Sequence, residues 1–544
     1  MIIILILIIL FSPSCSPVYK SFWWNNAIIY QVWTPSFQDS NGDGLGDLVG
    51  LRNRLGKLKK IGITAIWIYP FLETDHFSEA VRDHRTVDPR LGSMDDAELL
   101  IKQAHEKELG VLITIPLSVT SRQHNWFLRS SKASKPQNAN FSGFYHWRRS
   151  NSSALDVDTY SEYNRTNISY MHYAKQPEWP ILNWQNDSVR EQMFGILSFW
   201  IDKGIDGFHL SSIEYLARTP GGKEPNWNSI QDIIRDIRNH VDTYSRESSV
   251  VQNKKIILFA DRYDADENEK DSLVRAGLDS VVNYELGSIS ASSQICGGTN
   301  HIGGCTHEIL SDMLVFYNEN PDKIPLWQFG NPSLQRLASR IRSRSQGELL
   351  TMVQFMLPGT NSFYYGEDIG MRGLINDTKT PPQQGAMQWD DSKNAGFSDS
   401  DEPSVGIHAD YKNINFERQM HDKYSQLKTF RALAELRSTD ETLMRGATFV
   451  GRLTDNGFTI SRFCYNTTGA YGNLYIAAFN FGTSSVQLHL ADIPTLSARN
   501  RAYGYVVVRS SNLGDNTGPS TPVDVSSEIL PMPPESGVVL KFKE

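Results

Sequence analysis

The stretch Gly204-Ile205-Asp206-Gly207-Phe208-His209-Leu210-Ser211 decides how this chain is read. It is a short apolar run bounded by glycine, of the kind that enters a parallel sheet and is buried on both faces. His209 and Ser211 are two residues apart, so on a strand their side chains face the same way. Seven more runs share this character. Ala27-Ile28-Ile29-Tyr30-Gln31-Val32-Trp33, Ala65–Tyr69 and residues 111–115 precede it; residues 256–259, 280–284, 326–329 and 362–365 follow it. Amphipathic stretches lie between them, and helices are predicted over 51–61 and 95–107. Eight strands alternating with helices predict an α/β fold, a (β/α)8 TIM barrel. The last residues of each strand then open onto the barrel mouth.

Two regions break the alternation. Between the third and fourth strands, residues 121–186 form a long polar insertion rich in Ser, Asn, Tyr and Trp, expected as a small subdomain over the mouth. After about residue 440 helical patterning stops. Short alternating runs at 458–463, 474–479 and Tyr503–Arg509, separated by Gly and Asn turns, predict a C-terminal antiparallel β-sandwich. The expected order is a membrane-helix remnant and neck (1–22), the barrel in two parts (23–120 and 187–440) around the insertion (121–186), and the sandwich (441–544).

The 544 residues exceed one compact core, and 40% hydrophobic with 11% aromatic residues is ordinary for a globular protein. The net charge of −8 is spread along the chain, with no basic stripe for nucleic acid and no acidic tail. Residues 1–11 are an apolar run stopped by Ser12-Pro13. It is about half of the roughly 20 residues that span a bilayer, and it lacks the basic start of a signal peptide. It reads either as a signal-like leader or as the outer half of a transmembrane helix. Either way the remainder lies outside the cytoplasm. Glycosylation sequons at Asn140, Asn151, Asn164, Asn167, Asn186, Asn376 and Asn466 agree, five of them falling in the insertion. Cys296 and Cys305 flank a Gly-rich loop and are close enough in sequence to pair in an oxidising compartment. Cys464, on an expected strand, reads as a buried free thiol. Cys15 is left over directly outside the apolar run, which suggests an intermolecular bridge.

One polar constellation carries metal chemistry. Asp39-Ser40-Asn41-Gly42-Asp43-Gly44-Leu45-Gly46-Asp47 offers oxygen ligands at alternating positions in a Gly-rich loop, as calcium requires. It is not an EF-hand, because position twelve is Gly50 rather than Glu. A Ser/His hydrolase built on Ser211 and His209 would need a Gly-x-Ser-x-Gly elbow, and the sequence has none there.

Several segments resemble the α-amylase superfamily (glycoside hydrolase family 13), in its oligo-1,6-glucosidase branch. They are residues 23–31, 39–48, Gln123-His124-Asn125-Trp126-Phe127, Leu357-Pro358-Gly359-Thr360, Tyr364-Tyr365-Gly366-Glu367-Asp368-Ile369-Gly370-Met371 and Met387-Gln388-Trp389-Asp390, in family order. The resemblance implies two catalytic carboxyl groups, a nucleophile and an acid/base, with a third acid in support. This chain departs at each. The nucleophile position is Ser211, the acid/base position is Asp261 rather than Glu, and the third is Ser333. Arg262 beside Asp261 is expected to hold it ionised. Further family polar positions fall on Thr114, Ser118, Val119, Glu79 and Ala80. The resemblance also implies structural calcium held by the side chains of Asp39, Asn41, Asp43 and Asp47 and the Leu45 carbonyl.

Within the superfamily the chain resembles the non-catalytic heavy chains of heteromeric amino-acid transporters, of the kind serving cystine, basic and neutral amino acids. The calcium loop, the insertion, residues 389–398, and Phe11-Ser12-Pro13-Ser14-Cys15 followed by Trp23-Trp24 carry that likeness. It implies a plasma-membrane type II glycoprotein with an extracellular ectodomain, no glycosidase activity, and a multipass light chain bound through Cys15. Pairing of two such heterodimers is left open. As departures, that kind of heavy chain retains more of the catalytic acids, and the cytoplasmic tail and inner half of the membrane helix are not in this sequence. The alternatives are a glucosidase with an altered site and a secreted carbohydrate-binding pseudoenzyme.

Overall fold

The computed structural model describes residues 23–543 apart from 150–158, 165–166, 223, 252, 292–295, 297–300, 467–468, 497–502 and 518–519. Cys15, the N-terminal apolar run and Asn151 lie outside the described residues. Among the described residues, no helix is long and apolar enough to cross a membrane.

Eight strands close a barrel: β1 (Ile28–Trp33), β2 (Ala65–Tyr69), β3 (Gly110–Pro116), β4 (Gly207–Ser211), β5 (Ile257–Asp261), β6 (Ser280–Asn283), β7 (Leu326–Gln328) and β8 (Thr360–Tyr364). Each neighbours the next in chain order, and β1 closes on β8 with Ile28 opposite Asn361. All residues of β1, β4 and β8 are buried, β1 as a mainly apolar run and β8 with Thr360, Asn361 and Ser362 buried as well. The expected strand positions agree to within two residues. One hairpin was not expected, Leu72–Thr74 against Val81–Val87. Its second strand, Val-Arg-Asp-His-Arg-Thr-Val, buries only every third residue (Val81, His84, Val87) and so carries neither strand nor helix periodicity.

Packing divides the chain into two compact units. Residues 47–52 and 66–282 form one. It contains β3, β4 and β5 and, within the insertion, a small antiparallel sheet of Trp147–Arg149, Tyr160–Glu162, Ile168–Tyr173 and Gln176–Pro180. That sheet is held by a small apolar core of Val119, Tyr160, Met171 and Ile181, with Tyr173, Trp179 and Tyr215 against it.

The other unit contains β1, β7, β8 and the C-terminal region. There a six-stranded sheet and the pair Val486–His489/Ile529–Met532 enclose Leu474, Ile476, Leu488, Leu530, Leu540 and Phe542. Each such buried side chain contributes about 1.5–3 kcal/mol. Two guanidinium groups serve the end of helix Arg344–Met356, whose last carbonyls have no partner in the helix. Arg437 donates to the carbonyls of Phe355 (2.8 Å), Leu357 (2.7 Å) and Gly359, and Arg462 to those of Met356 (3.1 Å) and Gly446 (2.9 Å).

Cys296 and Cys305 are bonded to each other. Cys305 lies in helix Ile302–Glu319 rather than in a loop. Gly303 and Gly304 fit its first turn because their amides donate to Asn456 Oδ1, and the Asn456 backbone approaches Gly303 too closely for a side chain. Cys464 is disulfide-bonded, which overturns the expectation of a free thiol; the other half of that bridge lies outside the described residues.

Candidate functional site

The parallel register sets His209 on β4 opposite Thr114 on β3 and Phe259 on β5. Its imidazole is 4% exposed and packs against Trp67, with ring centres 4.6 Å apart, and Phe259 at 5.2 Å. Thr114 Oγ1 accepts from Trp67 Nε1 at 2.9 Å and lies 3.2 Å from His209 Nδ1. With the Thr114 hydroxyl donating to Nδ1, the ring proton sits on Nε2, which faces Asp261 Oδ2 at 3.1 Å. Arg262 does not hold Asp261 as expected. Its guanidinium donates to the Glu269 carbonyl (2.9 Å) and Oε1 (2.8 Å) and lies over the Trp227 ring at 4.0 Å. Successive strand residues point to opposite faces, so the partner of Asp261 is His209, not its chain neighbour.

Two residues further along β4, Ser211 Oγ donates to Glu79 Oε2 at 2.6 Å, and Ser212 Oγ donates to the same oxygen at 3.1 Å. Ser212 adopts a left-handed backbone (φ 54°) that turns the chain at the strand end, and its carbonyl accepts from Ser118 Oγ at 2.8 Å. Burial pushes the Glu79 carboxyl above its ordinary range; the Ser211 bond and His209 pull it down, and Glu214 pushes it further up. Glu214, on the turn after β4, accepts from Tyr173 Oη at 3.1 Å and is likewise raised, by burial first and by Asp261 in addition. Glu79, at a position where the family resemblance implies a departure, is the acceptor for Ser211. Glu214 was missed; its signal was its position three residues beyond Ser211, at the same strand end. Ala80 and Val119 are simply core, Val119 bridging to Ile181.

Ser333 belongs to the other unit and is exposed, its amide donating to Asn331 Oδ1 at 2.8 Å. In that unit Tyr30 Oη donates to Asp368 at 2.8 Å and the Tyr364 amide donates to Glu367 at 2.9 Å. Burial raises Glu367 to about 7 and Asp368 to about 6.

In the oxygen-rich loop, Asp39 Oδ1 accepts from the amides of Asn41 (3.0 Å) and Gly42 (2.7 Å), and Oδ2 from the Gly44 amide (2.8 Å) and Ser398 Oγ (2.6 Å). Asn41 and Asp43 are exposed, and each accepts from the amide two residues on. Asp47 accepts from the Gly50 amide at 2.7 Å. The donor chemistry suits a hard cation. The side chains are turned onto loop amides, and among the described residues no three Asp, Glu, His or Cys converge to hold a metal.

Of the sequons, Asn140, Asn164, Asn167 and Asn376 are exposed. Asn186 is half-buried as an N-cap, accepting from the Ser188 amide at 2.9 Å, with its Nδ2 against Gly143.

Residues 31–446 match the α-amylase catalytic-domain family, and the chain belongs to it. Among characterised proteins, it is similar to the amino acid transporter heavy chain SLC3A1 of Mus musculus (28% identical, covering 90% of this chain and 74% of the relative). It is also similar to Maltase A2 of Drosophila melanogaster (29%, covering 77% and 80%). Among solved structures, a trehalulose synthase MutB mutant superposes with a TM-score of 0.77 at 21% identity, covering 96% of this chain and all of that one. The trehalose-6-phosphate hydrolase of Bacillus licheniformis gives 0.77 at 20%, with the same coverage. These two likenesses establish the fold.

Proposed function

We propose that this chain is an rBAT-like heavy subunit of a heteromeric amino-acid transporter: non-catalytic, anchored in the plasma membrane as a single-pass type II protein, with the barrel and sandwich extracellular. Its role is to bring to the surface and stabilise a light chain that moves cystine, basic and neutral amino acids. The observation that carries this reading is Ser211. At the nucleophile position stands a hydroxyl committed as donor to Glu79, in a chain similar to SLC3A1 over 90% of its length. Purified protein is expected to leave maltose and nitrophenyl glucoside intact; turnover of either above the level of a Glu79→Gln, Glu214→Gln double variant would revive the glucosidase reading. That second reading draws support from Maltase A2 and from the two raised carboxyl groups at the end of β4.

The covalent link is assigned to Cys15. Of the four cysteines, Cys296 and Cys305 are paired and Cys464 is bonded, so a bridge from Cys15 to the light chain stands in competition with the Cys464 bridge. Cys15→Ser and Cys464→Ser variants separate the two. Structural calcium in the 39–47 loop belongs to the same reading. Removing divalent ions with EGTA should lower Tm, and Asp39→Ala should abolish that difference; an unchanged Tm removes calcium from the reading.

A further inference from the structure

Arg437 and Arg462 are only 1% and 0% exposed. Arg437 lies on helix Gln426–Thr439 and Arg462 on strand Gly457–Asn466. Together they cap helix Arg344–Met356, which ends just before β8 begins, at the end of that strand remote from the mouth. Every acceptor they reach is a neutral carbonyl. Among the described residues no carboxylate acts on either. Asp440, close to Arg437 in sequence, is taken up instead by Tyr475 Oη (2.6 Å), Asn473 Nδ2 (2.7 Å) and Lys541 Nζ (3.2 Å). Burial lowers Arg437 to about 10. It lowers Arg462 as well, and the positive charge of Arg437 lowers Arg462 further, so the two cations feel each other.

Donors are left over around this pair. Among the described residues, Arg437 Nε and Arg462 Nε have no acceptor, and the hydroxyl of Thr448, which is 2% exposed, has no partner. Thr448 stands opposite Arg462 in the antiparallel pair Ala447–Val450/Gly457–Asn466, so the two side chains share a face. Their chain neighbours Ala447 and Phe463 point into the sandwich core, so Thr448 and Arg462 point out of its other side. Charge decides what completes these donors. The C-terminal end of a helix carries roughly half a negative charge, which leaves about one and a half of the two guanidinium charges uncompensated. Buried charge is ordinarily paired. A water would satisfy the donors and leave the charge, whereas a monovalent anion satisfies both. The burial of all three groups favours a monatomic ion over an oxyanion. We propose that Arg437, Arg462 and Thr448 hold a buried halide ion, chloride, which ties the sheet of the sandwich to the end of helix Arg344–Met356.

The test is thermal unfolding of the full chain in chloride, bromide or gluconate, at constant ionic strength and fixed calcium. Tm is expected to rise by about 1–2 °C between about 1 and about 150 mM chloride, and similarly in bromide. Gluconate, too large to enter, should leave it unchanged. Arg462→Met should abolish the chloride dependence. Thr448→Val keeps the side-chain shape and every bond from the guanidinium groups to carbonyls, and carries the test should Arg462→Met fail to fold. It is expected to raise the chloride concentration of half effect about tenfold. Crystals soaked in bromide should show anomalous scattering in contact with both Nε atoms. Equal Tm in chloride and gluconate, bromide bound at the surface only, water in place of bromide at the Nε atoms, or a folded Thr448→Val with unchanged chloride dependence would each overturn the proposal.

Discussion

The acids around β4 and the acids after β8 differ in how deeply they are buried and in the charges beside them. Glu367 and Asp368 are 5% and 0% exposed. Arg336, which also donates to the Tyr365 carbonyl at 2.6 Å, and Arg340, which donates to the Phe329 carbonyl at 2.7 Å, both act on Glu367. Tyr30 ties β1 to Asp368. Glu79, Glu214 and Asp261 are partly exposed and have mainly hydroxyls and one imidazole for company. The difference teaches which polar residues this scaffold requires. Removing Glu367 or Asp368 is expected to leave the buried positive charge of Arg336 and Arg340 less compensated. At the strand ends Ser211 is held by one hydrogen bond to Glu79, and Asp261 faces the His209 imidazole.

Substitution should reproduce that ranking. Asp368→Ala or Glu367→Ala is expected to cost about 3–5 kcal/mol in denaturant unfolding, the usual penalty for breaking a buried ionic cluster from one side. A loss under about 1 kcal/mol would erase the distinction. Next in size is a pH effect. The folded carboxyls of Glu367 and Asp368 are raised, so the stability they contribute is present below their unfolded values, near 4, and is lost as pH rises through about 6 and 7. Glu367→Gln should therefore flatten the stability profile over this range by up to about 3 kcal/mol relative to the parent. An identical slope in the two proteins would show that Glu367 does not titrate in it.

The strand-end changes should be small. Ser211→Ala removes one of two hydroxyl donors to Glu79 and is expected to cost about 0.5–1.5 kcal/mol, measured by the same unfolding experiment. Ser211→Asp places a second carboxylate against Glu79; it should lower Tm, more at pH 8 than at pH 5, without creating glucosidase activity. A gain in Tm at pH 8 would mean that the pocket tolerates the charge.

Much of the fold was legible in the sequence, and the contrast between the two sets of acids was not. Ala65–Tyr69 and Tyr503–Arg509 fall on the expected residues because apolar and β-branched runs have one sensible burial. The hairpin Leu72–Thr74/Val81–Val87 was not legible, since Arg82, Asp83, Arg85 and Thr86 separate its buried residues by three. Cys305 was misplaced because Gly303-Gly304 reads as loop, whereas tertiary contact with Asn456 fixes the helix start. Arg262 was misread for a different reason: adjacency in sequence suggested an ion pair that strand alternation forbids, and Glu269 takes the guanidinium instead. Glu79 comes to Ser211 from 132 residues away, a partnership that no local pattern announces.

The most direct test of the heavy-subunit reading is electrophoresis of native membranes with and without reductant. A complex much larger than the 61.5 kDa chain is expected without reductant, collapsing when reduced, containing a multipass partner, absent in Cys15→Ser and retained in Cys464→Ser. A monomer in both lanes, with no multipass protein recovered on affinity purification, would contradict it.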